Sequence, residues 1–297
     1  MFTKRLSDDE IVVGAPAKVN LDLRVLGRRP DGYHDIDSLF QAVSLFDRLR
    51  ITRDRNRTDI EISLTRPADL PTDENNLISK AFQVMKNRFR LEGGIRVELE
   101  KNIPIAAGLG GGSADGAAVI LACRDLFGLP LKGPELADLS AQIGSDLPFF
   151  FSCGQAHVTG RGEIVENIEL PTDYWMVLVT PPIKVSTTEA YASLRLPLTR
   201  SGSARTFRGW KAPENFVNWL SDSSNDFESV QMAAFEQLRT VKSDLMDSGA
   251  LLARMSGSGP TVFGIYDNAP DIAGDRVLGR SNWTASVVKP IRLPAPL

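Results

Sequence analysis

The chain has 297 residues, of which 42% are hydrophobic and 24% charged, with a formal net charge of −3. That length is ample for two domains, and the composition is ordinary for a globular protein. The small net charge gives no support for nucleic acid or an anionic membrane as a partner. Two cysteines, Cys123 and Cys153, and two histidines, His34 and His157, fall at no zinc-binding spacing. Both cysteines sit in apolar runs and read as buried thiols of a reducing compartment. No run approaches the roughly 18 apolar residues of a membrane span, and no apolar signal core follows Met1–Leu6, so a cytoplasmic protein is expected.

From residue 11, IVVGAPAKVNLDLRVL alternates after Pro16. Val19, Leu21, Leu23 and Val25 share one side of a predicted strand; Lys18, Asn20, Asp22 and Arg24 share the other. Such a polar side usually faces solvent, which leaves Lys18 and Asn20 open between a solvated face and a site. The turn cluster Gly27–His34 closes on the aromatic pair Tyr33 and His34. Strand-like text fills 36–53 and 58–64. The polar loop Pro71–Asn76 caps an amphipathic helix that starts at Leu77, and Ile95, Val97 and Leu99 mark a further strand.

The segment IPIAAGLGGGSAD, residues 103–115, places four glycines within five positions and leads into a helix predicted over 113–127. Glycine lets the backbone approach a ligand closely, and a helix N-terminus offers unpaired N–H groups and the positive end of its dipole. That combination suits phosphate, while the plain alternative is a flexible turn. It is not a Walker A loop, since no Gly-Lys-Ser/Thr follows, and not a dinucleotide fingerprint, since Ser113 stands where the third glycine should be. The protein-kinase signatures and the GxSxG elbow are absent too. A strand, a proline, a glycine loop and a helix that opens on a hydroxyl fit phosphoryl transfer, with Ser113 able to reach Mg²⁺.

A helix is predicted near 134–143, and Gly144-Ser145-Asp146-Leu147-Pro148 then holds a carboxylate in a turn. Asp146 reads either as the cap of the next short helix or as a catalytic carboxylate. Near residue 160 the texture changes, and two domains, 1–160 and 161–297, are predicted. The second begins with a strand at 175–180. The polar stretch 199–214 reads as a mobile surface loop, and helices are predicted at 215–220 and 226–247. A second glycine loop, Met255–Thr261, precedes strands at 262–266 and near 284–292.

Pro16-Ala17-Lys18-Val19-Asn20-Leu21, with Asp31-Gly32-Tyr33-His34, resembles the first motif of the 4-diphosphocytidyl-2-C-methyl-D-erythritol kinase family. Pro104–Ser113 resembles the ATP loop of the wider superfamily that includes galactokinase, homoserine kinase, mevalonate kinase and phosphomevalonate kinase. Met255–Thr261 resembles its third motif, and Ile143–Pro148 is similar to the family's carboxylate turn. The resemblance implies an α+β fold: an N-terminal domain like domain 2 of ribosomal protein S5, a ferredoxin-like C-terminal domain, and a site in the cleft between them. It implies ATP, with Mg²⁺, as donor, and the 2-hydroxyl of the cytidyl diphosphate sugar alcohol as acceptor, in the non-mevalonate isoprenoid pathway.

By the same resemblance Asp146 is the catalytic base and Lys18 its partner. Asn20, Tyr33, His34 and Thr187 contact substrate, and Tyr191 is the opposing aromatic of a cytosine sandwich. Asn76, Lys101, Pro104, Gly108, Leu109, Gly110, Gly111, Gly112 and Ser113 lie on the nucleotide, with Ser113 also near the metal. His157 reads as a structural histidine, and a monomer or weak homodimer is expected. Two other readings compete: a kinase of the same fold for another alcohol, and a catalytically silent nucleotide-binding protein. Asp31–His34 argues against the first, and the presence of both Lys18 and Asp146 against the second.

Overall fold

The computed structural model describes residues 1–66, 69–194, 205–207, 210–270 and 282–294. Seven strands form the first sheet: β1 (Phe2–Ser7), β2 (Glu10–Arg28), β3 (His34–Asp54), β4 (Ile60–Leu64), β5 (Gly94–Glu100), β6 (Gln155–Gly160) and β7 (Ile164–Asn167). Their order is β1-β2-β3-β5-β4, with β6 and β7 branching from β3; only the β4–β5 pair is parallel. Helices α1 (Leu77–Phe89) and α2 (Gly111–Leu126) pack on each other, and α2 lies along β2 and β3. A short helix, α3 (Gly133–Ser140), and a 3-10 turn at Leu147–Phe151 complete this half. The α1 stripe Ile78, Ala81, Phe82 and Met85 is fully buried. Each such large side chain contributes about 1.5–3 kcal/mol on leaving water.

The second sheet holds β8 (Trp175–Thr180), β9 (Leu252–Met255), β10 (Val262–Tyr266) and β11 (Thr284–Val288). It is antiparallel in the order β11-β8-β10-β9. With α7 (Glu236–Asp247) packed across β9 and β10, this is the ferredoxin-like strand order. Helices α4 (Thr187–Ser193), α5 (Phe216–Ser221) and α6 (Glu228–Ala234) lie between β8 and α7 in the chain.

The two sheets are joined by hydrogen bonds along β2 and β3. Buried Arg254 of β9 donates to the Leu21 carbonyl at 2.6 Å and to the Leu220 carbonyl at 2.8 Å. Leu23 N–H donates to the Ser224 carbonyl, and Asp226 N–H to the Leu23 carbonyl. Past β11, Lys289 offers its carbonyl to Ser44 N–H at 2.9 Å.

Several expectations shift. The α2 helix begins at Gly111, two positions before the predicted Ser113; glycine is disfavoured in a helix interior, so the run of glycines reads as loop although two of them form the first turn. The run predicted as one helix over 226–247 is broken at Phe235, which takes an extended conformation (φ −126°, ψ 109°) between α6 and α7. Neither glycine nor proline marks that break, so periodicity runs through it. The first sheet continues to Asn167, past the division expected after residue 160, because β6 and β7 form a hairpin. Cys153 is only half-buried.

Of the polar stretch 199–214, residues 199–204 and 208–209 lie outside the described residues. The described part is docked rather than loose. Phe207 is buried, and Arg205 reaches Asp22 and Asp37, two carboxylates fully buried on β2 and β3.

Candidate active site

The first glycine loop and the second are pressed together. Ser256 Oγ donates to the Gly108 carbonyl at 2.8 Å and accepts from Asn20 N–H at 3.1 Å. Thr261 N–H donates to the Ala107 carbonyl at 3.3 Å, and Lys18 N–H to the Leu109 carbonyl at 2.9 Å. No side chain fits at Gly108 or Gly110. Both have positive φ (74° and 69°), and a Cβ there would meet the Ser256 carbonyl oxygen at 2.3 Å or Lys18 Cγ at 2.9 Å. Gly110 caps α2 with no side-chain hydrogen bond, and the first turn carries no acidic residue. Its N–H groups and the dipole they sum to are therefore open to an anion, with the Ser113 side chain at the rim.

The polar side of β2 meets this loop. Lys18 and Asn20 are buried, not solvated, because the second sheet and the glycine loops cover that side of the strand. The β2–β3 register shifts between Pro16 and Ala17 and again between Asn20 and Asp22, so irregularities bracket the two residues. Bulges of this kind re-aim side chains beside active sites. Lys18 Nζ donates to Asn20 Oδ1 at 2.7 Å, lies 4.3 Å from the centre of the Phe40 ring, and stands 3.4 Å from Asp146 Oδ2. Asn20 Nδ2 donates to Ser38 Oγ at 3.0 Å. Asp146 precedes the 3-10 turn but makes no side-chain cap bond, so its carboxylate is turned to Lys18 instead. Of its two sequence readings, capping is the one the geometry removes.

Asp146 lines two neighbouring cavities, which share Arg161, Thr187 and Tyr191 as well. The inner one, about 160 Å³, is walled by Lys18, Asn20, Gly108, Gly110, Gly257 and Ser258 among others. The outer cleft, about 670 Å³, is walled by Arg28, Tyr33, His34, Arg161, Thr187 and Tyr191 among others. Thr187, the first residue of α4, exchanges a 3.1 Å hydrogen bond with Ser258, tying the cleft wall to the second glycine loop. The His34 and Tyr191 rings are stacked on each other, 4.7 Å apart at 19°, and Tyr191 rests edge-on against Phe227 at 4.8 Å. Tyr33 lies apart from that stack in solvent, with Arg161 over its ring at 4.8 Å. Burial, then the positive charge of Arg28, lowers the His34 pKa, so the ring is neutral at pH 7. Burial, then the Asp146 charge, raises the Tyr191 phenol, which stays protonated.

Two predicted positions stand elsewhere. Asn76 is the N-cap of α1: its Oδ1 accepts from Ile78 N–H at 2.9 Å and its Nδ2 donates to the Pro71 carbonyl at 2.7 Å. Lys101 is turned beneath α2 onto Asp47 and Asp115. Neither side chain lines the two cavities. Burial pushes the Asp115 carboxyl well above the usual range; Lys101 opposes that and Asp47 adds to it. Burial alone would lower the Lys101 ammonium, but the two carboxylates outweigh it and raise it. Pro104 is half-buried at the loop's entry, and Leu109 is a core residue whose backbone alone faces β2.

His157 is buried as expected. Its Nε2 is 3.2 Å from Asp37 Oδ1, and its ring packs on Phe207. Burial would raise the Asp37 carboxyl, but hydrogen bonds from His157 and Arg205 outweigh it and hold it far below the usual range.

Arg161 was not singled out by sequence reasoning. It borders both cavities, at the tip of the β6–β7 hairpin between Gly160 and Gly162. An arginine between two glycines was the available signal. Arg28 and Ser258, on the same walls, sat inside quoted motifs without being assigned a part.

The chain matches the family models for the GHMP kinases N terminal domain over residues 76–154 and the GHMP kinases C terminal over 206–278. It is 38% identical, over 93% of this chain and 98% of the relative, to a 4-diphosphocytidyl-2-C-methyl-D-erythritol kinase of Syntrophotalea carbinolica. A kinase of the same name from Brevibacillus brevis is 40% identical over 86% of this chain and 87% of its own length. A crystal structure of a 4-(cytidine 5'-diphospho)-2C-methyl-D-erythritol kinase superposes with a TM-score of 0.77 at 30% identity, covering 94% of this chain and 98% of that one. A Methanococcus jannaschii mevalonate kinase, at 15% identity and a TM-score of 0.69 over 97% of this chain and 100% of its own, shares the fold. The chain therefore belongs to the 4-diphosphocytidyl-2-C-methyl-D-erythritol kinase family of the GHMP kinases and is an ATP-dependent small-molecule kinase.

Proposed function

We propose that the protein transfers the γ-phosphoryl group of ATP to the 2-hydroxyl of 4-diphosphocytidyl-2-C-methyl-D-erythritol. The products are the 2-phosphate and ADP, in a step of the non-mevalonate isoprenoid precursor pathway. One observation carries this reading. Lys18 lines the small pocket under the glycine loops, and its partner Asp146 lines both that pocket and the large aromatic cleft beside it. A donor phosphate on one side and an acceptor hydroxyl on the other would meet at that pair.

An alcohol is a weak nucleophile. The Asp146 carboxylate orients the hydroxyl and accepts its proton as the new P–O bond forms and the bond to ADP breaks. The Lys18 ammonium stabilises charge on the attacking oxygen and the moving phosphoryl group. Asn20 fixes that ammonium and is itself fixed by Ser38. In a loose transition state this positioning matters more than proton removal. Gly108–Ser113 hold the phosphates through backbone N–H groups, and Pro104 and Leu109 shape the loop. In the outer cleft the neutral His34 presents both a donor and an acceptor to the cytosine edge. The base takes its place against Tyr191 by parting the His34–Tyr191 stack, with Tyr33 and Thr187 on the flanks. Arg161 answers the diphosphate with a guanidinium.

The residues fit Mg²⁺ carried on the nucleotide. The Ser113 hydroxyl on the open first turn of α2 is a hard oxygen donor, while the nearby Asp115 carboxylate is taken up by Lys101. Among the described residues no group of three or more His, Cys, Asp or Glu side chains is arranged to hold a metal. When bound, the ion neutralises phosphate charge. No described helix is long and apolar enough to cross a membrane. We place the enzyme in the cytoplasm, as a monomer or weak homodimer with no nucleic-acid partner. We divide it into a nucleotide-side N-terminal and a substrate-side C-terminal domain, with the boundary moved from residue 160 to just past β7 so that this strand stays with the first.

The test is a coupled ADP-release assay with Mg-ATP and a panel of alcohols: the cytidyl substrate, homoserine and mevalonate. ADP release dependent on the cytidyl substrate alone is expected. Release with another alcohol only would move the acceptor assignment, and no alcohol-dependent release would leave a nucleotide-binding protein without catalysis.

A further inference from the structure

Beneath the start of α2 lies a buried set of charges that the chemistry above leaves without a task. Lys101, just past β5, has a side chain only 7% exposed; Asp47 on β3 is 0% exposed and Asp115 on α2 is 2%. Lys101 Nζ donates to Asp115 Oδ2 at 2.8 Å and to Asp47 Oδ2. The other Asp47 oxygen accepts the backbone N–H groups of Asn102 at 2.6 Å and Ile103 at 2.9 Å. Asp115 Oδ1 is buried with no hydrogen-bond partner. The fit against the helix is close: a Cβ at Gly111 would stand 2.9 Å from Lys101 Nζ.

One ammonium thus gathers β3, the chain entering the glycine loop and the opening turns of α2. Stability alone does not explain it. Removing two carboxylates and an ammonium from water costs several kcal/mol per ion, and apolar side chains of like volume fill such sites as well or better. A half-satisfied carboxylate adds to the cost. What the arrangement supplies that apolar packing does not is directional bonding. The three elements it joins are the ones that set where the loop's N–H groups point.

We propose that Lys101 is a positioning residue for the phosphate loop, clamping the first turn of α2 against the 102–103 backbone so that the N–H groups of Gly111, Gly112 and Ser113 stand ready for the nucleotide. The side chain works through Asp47 and Asp115 and does not itself touch ATP. The inference rests on the reading of the glycine loop as the ATP site. A charge pair that only stabilised the fold would not discriminate between the two substrates, whereas a clamp on the loop acts on the donor alone.

The experiment measures ATP affinity by titration calorimetry, and the KM of the cytidyl substrate at saturating ATP, in wild type, Lys101→Met and Lys101→Met/Asp115→Asn. Lys101→Met strands two buried carboxylates and is the variant that would fail to fold. The double variant leaves only Asp47, which keeps its two backbone donors, so it carries the test if the single one is lost. Both variants, where folded, are expected to bind ATP roughly tenfold more weakly, as a misplaced binding group does, with the acceptor KM within about twofold of wild type. A folded double variant with a lowered melting temperature and unchanged ATP affinity would overturn the proposal. So would equal losses for both substrates. If wild type itself does not bind ATP, the loop reading falls, and the proposal with it.

Discussion

At the nucleotide end of the site, backbone meets backbone. The two glycine loops share hydrogen bonds through Ser256 and Thr261, Gly108 admits no Cβ, and the first turn of α2 rests on buried charges. At the acceptor end, side chains meet across a cleft of about 670 Å³, and Tyr33 is 53% exposed. His34 and Tyr191 are stacked on each other. On the function proposed here, the first end is pre-set for the phosphates of ATP. The second, on the same proposal, reads what is particular to one acceptor through side chains. Backbone holds the donor and side chains the acceptor, so changes at the two ends should separate in the kinetics.

The largest effect belongs to the junction, which serves both ends. Asp146→Asn should lower kcat about 10³-fold while ATP affinity by calorimetry holds. Near wild-type turnover in the folded variant would remove the base assignment. Arg161→Ala should then raise the acceptor KM about 10- to 100-fold, the cost of one charge-assisted contact, and leave the ATP KM alone. If the ATP KM rises equally, Arg161 belongs to the donor end and the division drawn above is misplaced.

The smallest effect is at His34. Losing the group that pairs with the base edge should raise the acceptor KM about tenfold in His34→Ala. Its pH dependence sharpens the comparison. The pKa is lowered, so the neutral form that pairs with the base edge holds through neutral pH, and protonation sets in only below the ordinary histidine value of 6.5. The wild-type acceptor KM should therefore climb on the acid side of 6.5 and the climb should vanish in His34→Asn. Initial rates across pH at saturating ATP measure it.

How far the sequence carried can be judged residue by residue. Alternation placed β2, the glycine run placed α2 to within two residues, and apolar spacing marked α1. Pattern could not show that the Lys18–Asn20 side of β2 is covered. What covers it is Ser256 and its loop, more than two hundred positions away in the chain. Nor could it show that the Asp146 carboxylate makes no cap bond and faces Lys18 instead. Lys101 and Asn76 lie near the loop in sequence, yet one side chain is spent beneath it and the other on a helix end. Arg205 sits in text polar enough to pass for a solvated loop, and only the burial of Asp22 and Asp37 shows why it docks.

The hydrogen bonds between the two sheets carry a mechanical consequence. Arg254 grips the Leu21 carbonyl, Leu23 trades backbone bonds with Ser224 and Asp226, and Ser44 is held by Lys289. These rivets run along β2, the strand that carries Lys18 and Asn20, and its neighbour β3. A hinge motion that swung one half away from the other would have to pull out the whole row at once. The backbone around the cleft is thus cross-braced, and what lines its mouth is side chain: the stacked rings of His34 and Tyr191, and a guanidinium at the tip of a hairpin.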